Sequence, residues 1–379
     1  MNKVDKVYLD LLKDIIDNGV EKDTRAGRVK SVFGRQLRFN LKEGLPLLTT
    51  KKVFTKGVIH ELLWFLQRPC NNNGGMNINY LVRNGVHIWD DDAYRWFKNN
   101  IVPRYKGRIK NIVVCDGDDE IEENVDFAYW MENDVRKNDE DWLENISKEE
   151  FLDLVLQRVE LRGSWMDRYR FGDLGPIYGK QWRVFGANGK DQIESIINTL
   201  KTNPNDRRML CVAYNPDELD GMALPPCHVM FQFYTRELSV EERTKLYEKK
   251  FKGKKLAYEV ALDETNIPKY GLSCMFNMRS NDYMCGTPFN WLQYALLTHI
   301  IAKLVNMIPD ELVYSVGDCH IYLNHMDGIN EQLTRNGSDK LPRLKIKGKQ
   351  KTIEDFKFED FKIVGYNPDS PIKFPLNVG

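Results

Sequence analysis

The stretch that most limits the fold is FNWLQYALLTHIIAKLVNM, residues 289–307. It is apolar on nearly every face, so a helix formed here must be enclosed by other elements. No run reaches the roughly 18 apolar residues of a membrane span. The segment is therefore a central buried helix, and 379 residues supply enough chain to surround it. The enclosing material is recognisable by period. SVFGRQLRFNL (31–41) alternates as a strand does, and RMLCVAYNP, HVMFQFYTREL and GLSCMFNMRS read as buried strands. Residues 5–18 and 55–68 carry apolar positions at helical spacing. Strands cluster after residue 205 and helices do not alternate with them regularly, which predicts an α+β fold.

Two stretches interrupt this pattern. One covers about 98–170 and is strongly acidic over 114–160; the other, 236–269, is charged and follows a strand. Both are expected to be solvated insertions on a single domain spanning 1–379. An acidic docking arm is the alternative. Lys+Arg and Asp+Glu are 55 each, and this balance argues against polymer nucleic acid as a partner. The seven cysteines include no CxxC pair and are read as free thiols of a reducing compartment. The first residues lack the uninterrupted apolar core of a signal peptide, so a cytoplasmic, membrane-free protein is expected.

One cysteine stands apart. In LPPCHVMFQF, Cys227 follows two prolines at the mouth of a strand. It is either a small apolar filler or a nucleophile. A zinc deaminase would need a second cysteine three residues on, where Met230 stands, and an H-x-E element that is missing. No metal site is expected. The company of Cys227 favours chemistry. Arg207, Arg208 and Arg279 suit a phosphate dianion, because a guanidinium fork matches its oxygens. His320 and Tyr322, two apart, share one strand face and suit a sugar hydroxyl. Asn290, at the start of the buried helix, is either an N-cap or a reader of a base edge.

The ordered stretches SVFGRQLRF, PLLTTKKV, IHELLWFL, NGVHIWD, GDLGPIYGKQWR, NDRRML, MALPPCH, RSND, PFN, YALLTH, GDCHIYLNH and FEDFKIVGYNP resemble the thymidylate synthase superfamily along nearly the whole chain except the two insertions. The resemblance implies a three-layer α/β/α domain with a large mixed sheet. It also implies a homodimer in which Arg207 and Arg208 cross the interface. It implies transfer of a one-carbon unit from 5,10-methylenetetrahydrofolate to C5 of dUMP. That carbon is not nucleophilic in the free base, and a thiolate adding to C6 activates it. Cys227 fits this need, with Arg208 available to favour the thiolate. By the same resemblance Asn290 donates to the enolate and Glu61 is the acid/base, its pKa raised by burial. Tyr178 helps remove the C5 proton. Trp89 lies against the ring. Asp282, with Trp89, Asp92 and Lys51, meets the folate. Ser280, His320 and Tyr322 join the arginines on the nucleotide, and Arg25 or Arg28 reaches the phosphate.

Three departures bear on the product. Synthases read Gln-Arg-Ser-x-Asp where this chain has Met278-Arg279-Ser280-Asn281-Asp282. Asp92 replaces a second tryptophan, and the tail ends in Gly379. The first resembles phage dCMP hydroxymethylases, yet Asn290 suits uracil rather than cytosine. Together they lead to the expectation of a dUMP hydroxymethylase of phage type, in which water quenches the exocyclic methylene. Thymidylate synthase, which delivers hydride and releases dihydrofolate, is the alternative. Messenger-RNA binding by such a scaffold would predict a basic surface, which the composition does not offer.

Overall fold

A computed structural model describes residues 1–69, 75–105, 111–116, 121–126, 142–162, 168–256 and 258–377; for 111–116 and 121–126 it describes the backbone. Cys70, the side chain of Cys115, residues 117–120 and 127–141 of the acidic stretch, and Gly379 lie outside these descriptions. The strands, in chain order, are β1 (Val20–Thr24), β2 (Gly27–Asn40), β3 (Asn111–Asp116), β4 (Ile121–Asp126), β5 (Val159–Arg162) and β6 (Arg168–Arg170). They continue with β7 (Leu210–Val212), β8 (His228–Glu237), β9 (Tyr270–Asp282), β10 (Ile308–Tyr322), β11 (Arg343–Ile346) and β12 (Phe361–Val364). Six of them form a mixed sheet in the order β1-β2-β10-β9-β8-β7. Only β9 and β10 run parallel; the other neighbours are antiparallel. The α+β expectation holds.

The apolar run forms a helix, Gly286–Leu304, starting a few residues before the stretch that predicted it. It packs on β9, β10 and the Thr55–Leu66 helix. Trp291, Leu292, Ala295, Leu296 and Ile300 are fully enclosed. Truncating Trp291 to alanine would leave a cavity costing roughly 3–5 kcal/mol.

Register does the positioning. The parallel β9–β10 pair sets His320 opposite Asp282 and Asp318 opposite Ser280. Between His228 and Met230 the β8–β9 register shifts, a bulge beside the Pro-Pro corner. Bulges bend a strand and re-aim its side chains, and they gather next to active sites. The ladder resumes through Arg279 N–H, which donates to the Cys227 carbonyl at 2.9 Å.

The first insertion is not simply solvated. Its described parts contribute β3–β6 as a second sheet, ordered β4-β3-β5-β6. They also bury Ile101, Tyr105, Trp142, Phe151, Leu161 and Tyr169 in the main core. The aromatics scattered among its acids carry this packing. In the second insertion the helix Val240–Lys250 buries no residue, whereas Leu238, Ala261, Leu262 and Ile267 of the same stretch are buried. Among the described residues no helix is long and apolar enough to cross a membrane.

Candidate active site

Three elements converge on Cys227. The first is the loop before the helix Tyr178–Arg183. Gly175 there has φ +72°, and a Cβ would lie 1.9 Å from the Gly221 carbonyl oxygen, so only glycine allows this approach. Ala223 N–H donates to the Leu174 carbonyl at 2.9 Å, which docks the loop against the segment leading to the cysteine. Tyr178 is thereby placed so that its hydroxyl accepts the Cys227 N–H at 2.8 Å. Burial raises the Tyr178 hydroxyl well above its ordinary range, so it stays protonated.

The second element is the helix Thr55–Leu66, whose lone acid, Glu61, has two donors. Trp89 Nε1–H reaches Oε1 at 2.7 Å and Gln293 Nε2–H reaches Oε2 at 2.9 Å. Burial pushes the carboxyl up to about 7, against the lowering effect of both hydrogen bonds. Trp89 packs edge-on to Trp64, Phe65 and Tyr178, and Phe65 lies 4.9 Å from the Tyr178 ring. This aromatic wall keeps one side of the cleft dry.

The third element is β9 with the central helix. Arg279 donates from Nε and Nη2 to the carbonyls of Pro226 and Pro225, both at 2.9 Å. The two prolines that fix the cysteine corner thus also fix this guanidinium. Burial pushes the Cys227 thiol up, Arg279 pulls it back, and Asp92 pushes it up again. Within this chain Arg279, not the expected Arg208, is the cation whose charge bears on the Cys227 thiol. Arg208 is paired with Asp206 at 2.9 Å and its side chain is 89% exposed. Arg207 is exposed as well.

Asn290 is not an N-cap, because the helix begins four residues earlier with Cys285 in the cap position. Its Nδ2–H donates to Asn281 Oδ1 at 3.2 Å, and Asn281 Nδ2–H donates to the Tyr314 hydroxyl at 3.0 Å. A hydrogen bond also links Asn290 to His228, which burial holds neutral down to about 4. His320 Nδ1 meets Asp318 at 3.0 Å, and its ring stands edge-on to Tyr322, as their spacing predicted. Ser280 sits on the same strand face system, opposite Asp318.

Lys51 is aimed by an anchored loop. Buried Asp5 accepts from Thr49 N–H at 2.9 Å and from Thr50 N–H at 3.1 Å, which accounts for the paired threonines of PLLTTKKV. The Lys51 ammonium donates to the Met284 carbonyl at 2.5 Å and lies 4.5 Å from the Phe374 ring of the tail. Burial lowers it to about 8, while Cys285 and Asp282 hold it up. Asp282 itself accepts from Met284 and Cys285 N–H. Asp282, Cys285 and His325 bring donor atoms within 4.8 Å of one another. The positive charge of Lys51, which Asp282 and Cys285 support electrostatically, bears on the same corner.

Two departures look different in place. Met278 is enclosed in the core. Asp92 is bonded through one carboxylate oxygen to Arg95 at 2.5 Å, yet burial holds its carboxyl above the ordinary carboxylate range against the lowering effect of Arg95. At the β1–β2 turn, Arg28 pairs with Glu21 at 2.9 Å, whereas Arg25 is exposed with no ion pair among the described residues. A Cβ on neighbouring Gly27 would lie 3.7 Å from Tyr322 and from Asn377 of the tail, so this turn sits at the same end of the site. Sequence reasoning missed Gln293, Asn281, His228 and Arg95. Gln293 had a signal: it is a polar residue three positions after Asn290 on an otherwise apolar helix, hence on the same face.

The family model described as thymidylate synthase matches residues 6–378. The thymidylate synthases of Listeria monocytogenes serotype 4a (strain HCC23) and Listeria innocua serovar 6a are each 37% identical over 377 residues, covering 98% of this chain and 100% of the relative. That of Listeria monocytogenes serovar 1/2a is 36% identical over the same span.

Proposed function

The chain belongs to the thymidylate synthase family, and from that premise we propose that it converts dUMP to dTMP with 5,10-methylenetetrahydrofolate, releasing dihydrofolate. The observation that carries this reading is Tyr178, which touches the Cys227 backbone and packs at a tilt against Phe65 beside Trp89. Nucleophile and buried carboxyl thereby share one dry cleft. The folate supplies the carbon and the hydride when bound.

The chain's own residues do the rest. The Cys227 thiolate, favoured by Arg279, adds to C6 of the uracil. Asn290 meets the base edge and Glu61, close to neutral pH in its proton affinity, exchanges protons with the ring. The Tyr178 hydroxyl serves the step that removes the C5 proton. Asp282 and Lys51 offer an acceptor and a cation to the folate, with Trp89 as apolar wall. Arg25, Arg279 and Ser280 serve the phosphate, and His320 with Tyr322 the sugar. A homodimer brings the partner's exposed arginines, equivalent to Arg207 and Arg208, to that phosphate. Tyr234 and Phe33, 67% and 81% exposed on β8 and β2, support a partnered sheet. The cytoplasm is the matching compartment.

The methyl product is favoured over hydroxymethyl by the names of relatives that match nearly end to end, and by the buried state of Met278. dUMP hydroxymethylation keeps one observation in its favour: the charge of Asp92 bears on Cys227. Incubation with dUMP and 5,10-methylenetetrahydrofolate in ¹⁸O-water decides. The expected result is dTMP and equimolar dihydrofolate by absorbance. Labelled 5-hydroxymethyl-dUMP without dihydrofolate would replace this reading with the second.

A further inference from the structure

Glu61 must hold a proton in one step and release it in another, without leaving its place. Each of its oxygens is gripped by one donor. Trp89 offers only an N–H, which suits an acceptor oxygen. Gln293 offers an amide, which has a donor end and an acceptor end. In the ionised arrangement Nε2–H faces Glu61 Oε2, and Gln293 Oε1 is left buried without a partner among the described residues. An orphaned buried acceptor costs roughly 1–3 kcal/mol. Turning the amide over would present Oε1 to a protonated Glu61, where it accepts the carboxyl O–H. The side chain is fully enclosed, on a helix fixed by core packing.

We propose that Gln293 is the positioning residue of Glu61, holding the carboxyl in the same place in both of its protonation states by exchanging the donor and acceptor ends of its amide. The proposal rests on the assignment of Glu61 as the acid/base. Burial, Trp89 and Gln293 are what set the proton affinity of Glu61. The other titratable groups around it are Tyr178 on the Tyr178–Arg183 helix and Tyr294 on the central helix, both kept protonated by burial. His228 at the start of β8, bonded to Tyr294, is neutral in the working range.

The test uses tritium release from [5-³H]dUMP in the presence of folate, followed against pH. This step precedes the branch between methyl and hydroxymethyl, so the product identity does not affect it. Gln293→Leu keeps the volume and removes both amide ends. Its pH limb for Glu61 should move up by at least about half a unit, with the rate down about tenfold and KM for dUMP within about threefold. Gln293→Glu keeps the shape and places a second carboxyl against the first; its limb should move up further. Infrared difference spectra of the Glu61 carboxyl stretch should show the same order without any turnover. Limbs unmoved in either variant, with thermal unfolding like the wild type, would overturn the proposal. Should Gln293→Leu fail to fold, the shape-conserving Gln293→Glu decides alone. Undiminished tritium release in Glu61→Gln would instead remove the acid/base assignment itself.

Discussion

The backbone N–H of Cys227 donates to the hydroxyl oxygen of Tyr178 at 2.8 Å. One phenol therefore fixes the corner that carries the nucleophile, and in the proposed reaction it also serves the reacting ring. Tyr178→Phe removes both functions while keeping the ring on Phe65 and Trp89. Its turnover should fall by about 10²–10⁴, with unfolding lowered by only about 1–3 kcal/mol for the unsatisfied N–H. Cys227→Ala should lose more than about 10³ in kcat. Near-normal turnover in Cys227→Ala would end the proposed mechanism.

Glu61 and His228 make opposite contributions to stability against pH. Glu61 rises from 4.5 to about 7, so the folded state holds a proton that the unfolded chain has released. Its contribution is complete below 4.5 and is lost as pH rises through 7. His228 falls from 6.5 to about 4, so its contribution is complete above 6.5 and is lost as pH falls through 4. Each amounts to roughly 3 kcal/mol at most. Relative to wild type, Glu61→Gln should tilt stability upward with pH across this window, and His228→Asn should tilt it downward. Urea midpoints at a series of pH values measure both slopes; parallel curves would count against the burial argument.

Asn290 reads the base in the proposed reaction, and Asn281 holds its amide. Asn290→Asp should shift kcat/KM from dUMP toward dCMP by about 1–3 kcal/mol in relative terms. An unchanged ratio would mean that another group reads the base.

Arg208 and Cys227 serve different active sites of the proposed dimer. Arg208→Ala and Cys227→Ala proteins, each weak or inactive, should recover activity when unfolded together and refolded, because hybrid dimers then hold one intact site. A mixture no more active than its parts would place Arg208 outside a shared site.

Much of this protein is legible in local sequence. The apolar run at 289–307 had to be a buried helix, because no face of it tolerates water. The alternation in 31–41 and in HVMFQFYTREL gave strands at the right places, and the Pro-Pro corner marked Cys227. The insertion at 98–170 was legible only as an interruption. Its acids announced a solvated segment, while its described aromatics, spaced without period, fill the core.

What the sequence by itself determined were properties carried by neighbours along the chain: helix, strand, corner, and the ordered motifs that mark the family. What only the tertiary structure decided was which distant side chains meet. Arg279 rather than Arg208 bears electrostatically on the thiol within this chain, because the β8–β9 register and two proline carbonyls hold it at the cysteine corner. Asp92 meets Arg95 because the helix puts the two about one turn apart. Gln293 reaches Glu61 across 232 positions of chain because the central helix packs against the Thr55–Leu66 helix. Periodicity reports the face a residue occupies. Its partner on that face depends on register and packing, which are fixed only when the whole core closes.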